Sequence, residues 1–377
     1  MKNYSTQYDA DPSLSSDPAV SQVSSHRPMV LDLSGTGASG TSGTSRRTPW
    51  LLAAGAALAT AALVVRQKTR QAVLENPPAG EFLQIDGVRL HYVERGQGQP
   101  VVFLHGNGTM IQDFETSGLI DLAAQKYRVI VFDRPGYGYS ERPRSTIWTP
   151  QAQAKLLHRA LLHLGIENPI IVGHSWGTQV AVSMALEQPD YVKSLVLMSG
   201  YYYPTARLDV TLAAQPAIPV LGDLMRFTVS PLLSRAIWPA VLGRIFGPAP
   251  VPARFKEEYS VWMTLRPSQL RAAAAEAALM IPAAYALQER YHELTMPVVI
   301  MAGADDKHVT TSHHSERLHA ELPHSSLHVT AGAGHMLHHV AQEEVLAGIG
   351  QAASAVGAEL RSGAVHSAAA PVGVADR

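Results

Sequence analysis

The chain has 377 residues, of which 46% are hydrophobic and 16% charged. That length suits one large domain with an insertion, or two small ones. Lysine and arginine number 30 against 31 acidic residues, so no basic excess points to nucleic acid and no acidic excess to a cationic ligand. Cysteine is absent, which removes thiol nucleophiles, disulfides and cysteine-based metal sites. The compartment stays open, because a core of this size needs no disulfide staples.

Residues 1–48 are rich in Ser, Thr, Gly and Asp. They carry too little apolar surface to offset chain entropy and are expected to be disordered. From Thr48 to Val65 the chain is uncharged, with Arg46 and Arg47 before it and Arg66, Lys68 and Arg70 after it. A helix over 49–65, at about 1.5 Å per residue, falls slightly short of a bilayer core of about 30 Å. A membrane anchor is the first reading of this alanine-rich stretch. An atypical signal peptide behind a long leader and a soluble or interfacial helix remain as alternatives. The flanking positive charges are too evenly matched to orient it.

Residues 66–80 read as a linker that includes Pro77-Pro78. Two alternating apolar runs then flank Asp86-Gly87, which predicts a hairpin. Short apolar runs follow at Val101–Leu104, Val129–Phe132, Ile170–Val172, Leu195–Met198 and Val298–Met301. Such runs predict strands of a parallel sheet covered on both faces. Helical stretches such as Gln151–Leu164 and Thr178–Glu187 alternate with them, which predicts an α/β core over 81–200 and 296–355. Between these parts, residues 201–295 read as an inserted helical cap. The Ala-rich stretch Arg271–Ala286 belongs to that cap rather than to a membrane, because Glu276 and Pro282 interrupt it. Residues 356–377 are expected to form a flexible tail.

Gly173-His174-Ser175-Trp176-Gly177 follows a predicted strand and precedes a predicted helix. A serine on so sharp a turn stands exposed above the sheet, and glycines two residues either side avoid collision. The helix that follows points its positive end at the site. Serine alone is a poor nucleophile and needs a base and a group that orients the base. In this architecture the chain order is Ser, acid, His. Asp305-Asp306 follows one predicted strand, and Gly332-Ala333-Gly334-His335 follows the next, near Leu327–Val329. Both lie where strands deliver residues to the carboxyl edge of a parallel sheet. His335 is the expected base and Asp306 the expected acid, with Asp305 as the alternative. Ser199-Gly200, after the strand ending at Met198, offers no carboxylate. In His105-Gly106-Asn107-Gly108 the Asn107 amide, with that of Trp176, would face an oxyanion. Such donors contribute roughly 3–4 kcal/mol each in comparable sites. Asp133-Arg134-Pro135-Gly136-Tyr137-Gly138 reads as a structural bend, with Asp133 and Arg134 tying loops together.

From about Phe82 to Ala352 the chain resembles the α/β-hydrolase superfamily, in its epoxide-hydrolase, dehalogenase and esterase branch. The HGNG, DRPGYGYS, GHSWG, GADD and GHMLHH stretches stand in that family's order. The resemblance implies a mostly parallel sheet flanked by helices with an inserted helical cap. It also implies a triad of Ser175, Asp306 and His335, with Asn107 and Trp176 at the oxyanion. Asn107 and Trp176 further look like the halide-holding pair of haloalkane dehalogenases, but those enzymes and the related epoxide hydrolases carry Asp at the nucleophile position. Aspartate attack on an alkyl carbon gives an ester that water cleaves, whereas serine attack would give an inert ether. Ser175 therefore redirects the expectation to acyl chemistry on a small ester-like substrate, without cofactor. HGNG in place of HGGPG argues against a proline iminopeptidase.

Carbon–carbon bond hydrolysis, cofactor-free perhydrolysis and a non-catalytic receptor on the same fold are the alternatives. Tyr202 and Tyr203 either line the substrate pocket or pack the cap. The pairs His313-His314 and His338-His339 do not share a helix face and have no acidic cluster beside them in sequence, so no metal site is expected. Oligomeric state is not fixed by the sequence.

Overall fold

A computed structural model describes residues 48–368, with side chains from 49 to 355. Apart from Thr48, the segment expected to be disordered lies outside the described residues, as does 369–377. The first helix, α1, runs from Thr48 to Glu75 and so takes in most of the expected linker. Residues 66–75 contain no Gly or Pro and are mostly good helix formers, so nothing stops the helix before Pro77. The connection shrinks to 76–80. The N-terminal half of α1 exposes Trp50, Leu51, Leu52 and Leu63. Its C-terminal half is docked: Ala72 packs in a cluster with Phe255, Tyr259 and Met263. Asn76 Nδ2 donates to Ser260 Oγ at 3.1 Å.

The hairpin forms as expected, from β1 (Glu81–Ile85) and β2 (Val88–Arg95), with Asp86 and Gly87 both at positive φ. The remaining strands are β3 (Pro100–Leu104), β4 (Arg128–Phe132), β5 (Ile170–His174), β6 (Ser194–Met198), β7 (Val298–Gly303) and β8 (Ser325–Thr330). They order as β1-β2-β4-β3-β5-β6-β7-β8. From β4 to β8 every pairing is parallel, while β2 joins antiparallel to both β1 and β4.

Alternate residues of each strand feed opposite cores. Val102, Leu104, Ile171 and Leu197 pack on one face with α4 (Pro150–His163) and α5 (Trp176–Glu187). Val101, Phe103, Val172 and Val196 pack on the other. That second face is covered by α2 (Ile111–Ser117), α3 (Leu119–Ala124) and the last helix. Each such fully buried aliphatic side chain contributes about 1.5–3 kcal/mol, which is why the strands read as continuous apolar runs.

Between β6 and β7 stands the cap: α6 (Leu208–Ala213), α7 (Leu221–Phe227), α8 (Val229–Phe246), α9 (Ala253–Glu258), α10 (Val261–Thr264) and α11 (Pro267–Gln288). It contains no strand among the described residues. After β7 come α12 (Arg317–Glu321), α13 (Leu337–Val340) and α14 (Gln342–Ala368). The expected tail is therefore corrected as far as Ala368. Its run of Ala, Val and Leu favours continuation of α14, and its first Pro is Pro371.

A fully buried ion pair helps join cap to core. Glu276 of α11 meets Arg134, in the loop after β4, at 2.6 Å, with both side chains fully buried. Gln153 Nε2 donates to the same carboxylate at 2.8 Å and the Tyr137 hydroxyl at 2.7 Å. Burial pushes the Glu276 carboxyl up, but the Arg134 charge and hydrogen bonds outweigh it and hold the carboxyl below its usual range. Removing one member of a buried pair strands the other charge at a cost of about 3–5 kcal/mol. Glu276→Ala should lower stability by that amount in urea titration, and a loss below about 1 kcal/mol would contradict the pairing.

Candidate active site

Ser175 stands between β5 and α5 with φ 52° and ψ −119°, a conformation costly for a residue with a Cβ. Packing enforces it. A Cβ on Gly177 would drive into the Leu104 carbonyl, and one on Gly173 would lie 2.7 Å from the Gly177 carbonyl. The Ser175 amide donates to Met198 O at 2.9 Å, and Thr178 Oγ1 donates to Ser175 O at 2.7 Å. Trp176 begins α5, so its amide has no acceptor within the helix.

Asp306 and His335 meet across 29 residues of sequence. His335 Nδ1 lies 2.7 Å from Asp306 Oδ2, and both side chains are buried. The other carboxylate oxygen accepts from the amides of His308 at 2.7 Å and Val309 at 2.8 Å. Burial raises the Asp306 pKa; the His335 charge and these hydrogen bonds more than reverse that, leaving it below the usual range. Asp305 is exposed and, among the described residues, accepts only from the Gly332 amide, so the histidine pairing falls on Asp306.

His174 links the two halves, with Nε2 3.0 Å from the His335 carbonyl and a ring centroid 5.0 Å from that of His335. No hydrogen bond joins Ser175 Oγ to His335 among the described residues. In a free site such contacts are often long and tighten with substrate. Ser175 is 9% exposed, so the centre is nearly covered. The loop after β3 is tied to the cap: Asn107 Nδ2 donates to Ala273 O at 3.0 Å. The buried Trp176 indole N–H has no acceptor among the described residues.

Tyr202 and Tyr203 fall on the packing side of their two expected readings. Both are fully buried in the main core cluster. Tyr203 donates its hydroxyl to Glu321 at 2.8 Å and lies under Arg317. Tyr202 sits against Gly200 and Thr178, behind the first turn of α5. Their amides both approach His314 Nδ1, at 3.2 and 3.3 Å.

Sequence reasoning read Asp133 and Arg134 as ties between loops without naming their partners, and it missed Asp113. Arg134, besides binding Glu276, donates to the carbonyls of His105 at 2.8 Å and Gly106 at 2.9 Å, bracing the loop after β3. Asp133 pairs with His91 at 2.6 Å and accepts from the Ile111 and Tyr139 amides. Asp113 accepts from His338 at 3.2 Å and His339 at 2.8 Å. An acid therefore does stand beside this histidine pair, although sequence placed none there. Asp113, His174 and His338 bring ligand atoms within 4.8 Å of one another. Most of these contacts join parts of the chain far apart in sequence, which no local motif announces.

The comparisons agree with this fold. The alpha/beta hydrolase fold model matches residues 99–342, and the chain belongs to that family. Haloalkane dehalogenase 2 of Mycobacterium tuberculosis is 30% identical over 120 residues, covering 32% of this chain and 41% of the relative. The 2-hydroxymuconate semialdehyde hydrolase of Pseudomonas putida is 31% identical over 154 residues, covering 40% and 55%. The chain thus spans about half the length of these curated relatives. Among solved structures, a membrane phospholipase A described as a bacterial virulence factor superposes with a TM-score of 0.57 at 22% identity. That match covers 82% of this chain and 97% of the other, and it shows the shared fold.

Two buried histidines set an acid limit. Burial first, then the charge of Arg134, pushes His105 from 6.5 down to about 4. Burial first, then the charge of His313, brings His314 to about 4. Between those values and 6.5 the unfolded chain binds more protons, so stability rises with pH. Each group changes stability by about 1.4 kcal/mol per pH unit in that window. Asp306 and Glu276, with lowered pKa values, add a further loss once pH falls below their unfolded values. The urea midpoint should fall steadily from about pH 6.5 to pH 4; a flat profile there would contradict the burial of these groups.

Proposed function

We propose that this chain is a serine hydrolase that cleaves a carboxylic ester through an acyl-enzyme on Ser175. The observation that carries the reading is the Asp306–His335 pair at 2.7 Å, on loops at the same sheet edge as the strained Ser175 turn. His335 Nε2 takes the Ser175 proton as Oγ attacks the ester carbonyl. The amides of Asn107 and Trp176 hold the oxyanion, each stabilising it by about 3–4 kcal/mol. His335 passes the proton to the departing alcohol. Water, activated by the same imidazole, then hydrolyses the acyl-enzyme and restores Ser175. Asp306 stays ionised throughout and stabilises the imidazolium. No metal or organic cofactor enters this scheme.

The same proposal anchors the enzyme in a membrane through α1. Support comes from its uncharged run Thr48–Val65 and its exposed apolar side chains; α1 is long and apolar enough to cross a bilayer. α11 passes the same test of length and composition, but it packs as a cap helix with Glu276 in the core.

Ser175→Ala should lower turnover of a p-nitrophenyl ester by about 10⁴–10⁶ with folding unchanged. Retention of most activity would refute the assignment. A carbon–carbon bond hydrolase on the same residues is the second reading, favoured by the identity to the Pseudomonas hydrolase. Turnover of a vinylogous diketone without ester turnover would select it. For the anchor, the full chain should remain with membranes through an alkaline carbonate wash, and removal of 49–65 should release it. A full chain found in the soluble fraction would overturn the anchor.

A further inference from the structure

A cavity of about 680 Å³ lies between α1 and the cap. Six arginines line it: Arg66, Arg70, Arg144, Arg226, Arg266 and Arg271. One carboxylate answers them. Asp223 pairs with Arg226, and with Arg144 at 3.4 Å. No ion pair reaches Arg66, Arg70 or Arg271 among the described residues. Arg226 is buried, yet its Nε–H has no hydrogen-bond partner among the described residues. Burial, and then repulsion from Arg144, Arg226 and Arg142, pulls the Arg271 pKa down. So much like charge at close quarters calls for an anion.

A second feature points the same way. The 22-residue helix α11 opens into the cavity through Pro267 and Ser268, and no side chain caps its N-terminus. Its first-turn amides and positive dipole end are available to an anion. Apart from Thr69, the remaining wall is apolar, from Ala62, Val65, Val73 and Phe227.

Position selects among anions. Ala62 and Val65 close the uncharged run of α1, and Arg66 and Arg70 begin the charged part. With residues 49–65 in the hydrocarbon, the cavity stands at headgroup depth. On the cap beside it, Leu221, Leu224 and Phe227 of α7 are about half exposed, as acyl chains would require. Cationic side chains at that depth attract anionic lipid.

We propose that this cavity binds the headgroup phosphate of an anionic phospholipid, with its acyl chains along α1 and α7. Ser175, Asp306 and His335 do not line the cavity, so the site is separate from the chemistry. A zwitterionic lipid brings its own ammonium group and answers this charge poorly. The position, though not the charge, rests on α1 lying in a membrane.

The test is native mass spectrometry of the full chain in detergent micelles, titrated with phosphatidylglycerol or phosphatidylcholine. The wild type should retain one phosphatidylglycerol in preference to phosphatidylcholine. Arg70→Ala/Arg271→Ala should weaken retention on the order of tenfold or more, with an unchanged melting temperature. Arg70→Lys/Arg271→Lys should keep most of it. Equal retention of both lipids, or undiminished retention by the alanine pair, would overturn the proposal. So would full displacement of lipid by millimolar inorganic phosphate, which would assign the cavity to the free anion. Micelle binding is read whether or not the chain fractionates with membranes, so a failed anchor and a failed lipid site remain distinguishable.

Discussion

The buried Glu276–Arg134 pair is the constraint on which the site depends. Two charges without solvent are costly unless every hydrogen-bonding position is filled. Here Arg134 divides its donors among Glu276, Gln153 and the carbonyls of His105 and Gly106. One guanidinium therefore fixes the cap helix and the His105–Asn107 loop together. Asn107, next in that loop, is bonded to the same helix at Ala273. A displaced cap would strand the Glu276 charge and loosen the loop carrying the Asn107 amide. Such a pair favours one arrangement of cap on core over its near neighbours.

The Ser175 turn imposes the opposite kind of constraint. Ser175 holds a positive φ that costs about 1–3 kcal/mol. Close packing of the Gly173 and Gly177 backbones, and burial of β5 and α5, offset that strain. His174, next in the chain, then meets the carbonyl of His335. The turn and the Asp306–His335 loops therefore share a scaffold of backbone contacts, not only side-chain ones. Tyr202 and Thr178 support the turn from behind.

What could be read from sequence follows from range. The sheet was legible because fully buried strands must be continuous apolar runs, and the hairpin because Asp86-Gly87 accepts two positive φ values in succession. The Ser175 turn was legible because its glycines sit within two residues of it. Glu276 was read only as a charge that interrupts an apolar helix; its partner is 142 residues earlier. Asp113 finds His338 and His339 more than 220 residues away, so the histidine pair seemed to lack an acid. The extent of α1 was missed because Pro77-Pro78 marked a linker, although nothing between Val65 and Pro77 stops a helix. Tyr202 and Tyr203 show composition alone failing to separate a pocket wall from core.

The central claim is that Ser175 is activated by a histidine held by Asp306. Its most direct test is covalent labelling of the chain with a fluorophosphonate, mapped to the modified residue, in wild type and His335→Ala. The account predicts one label per chain on Ser175 and its loss in the variant while the fold persists. Well-folded wild type that takes no label, or label on Ser175 that survives without His335, would contradict it.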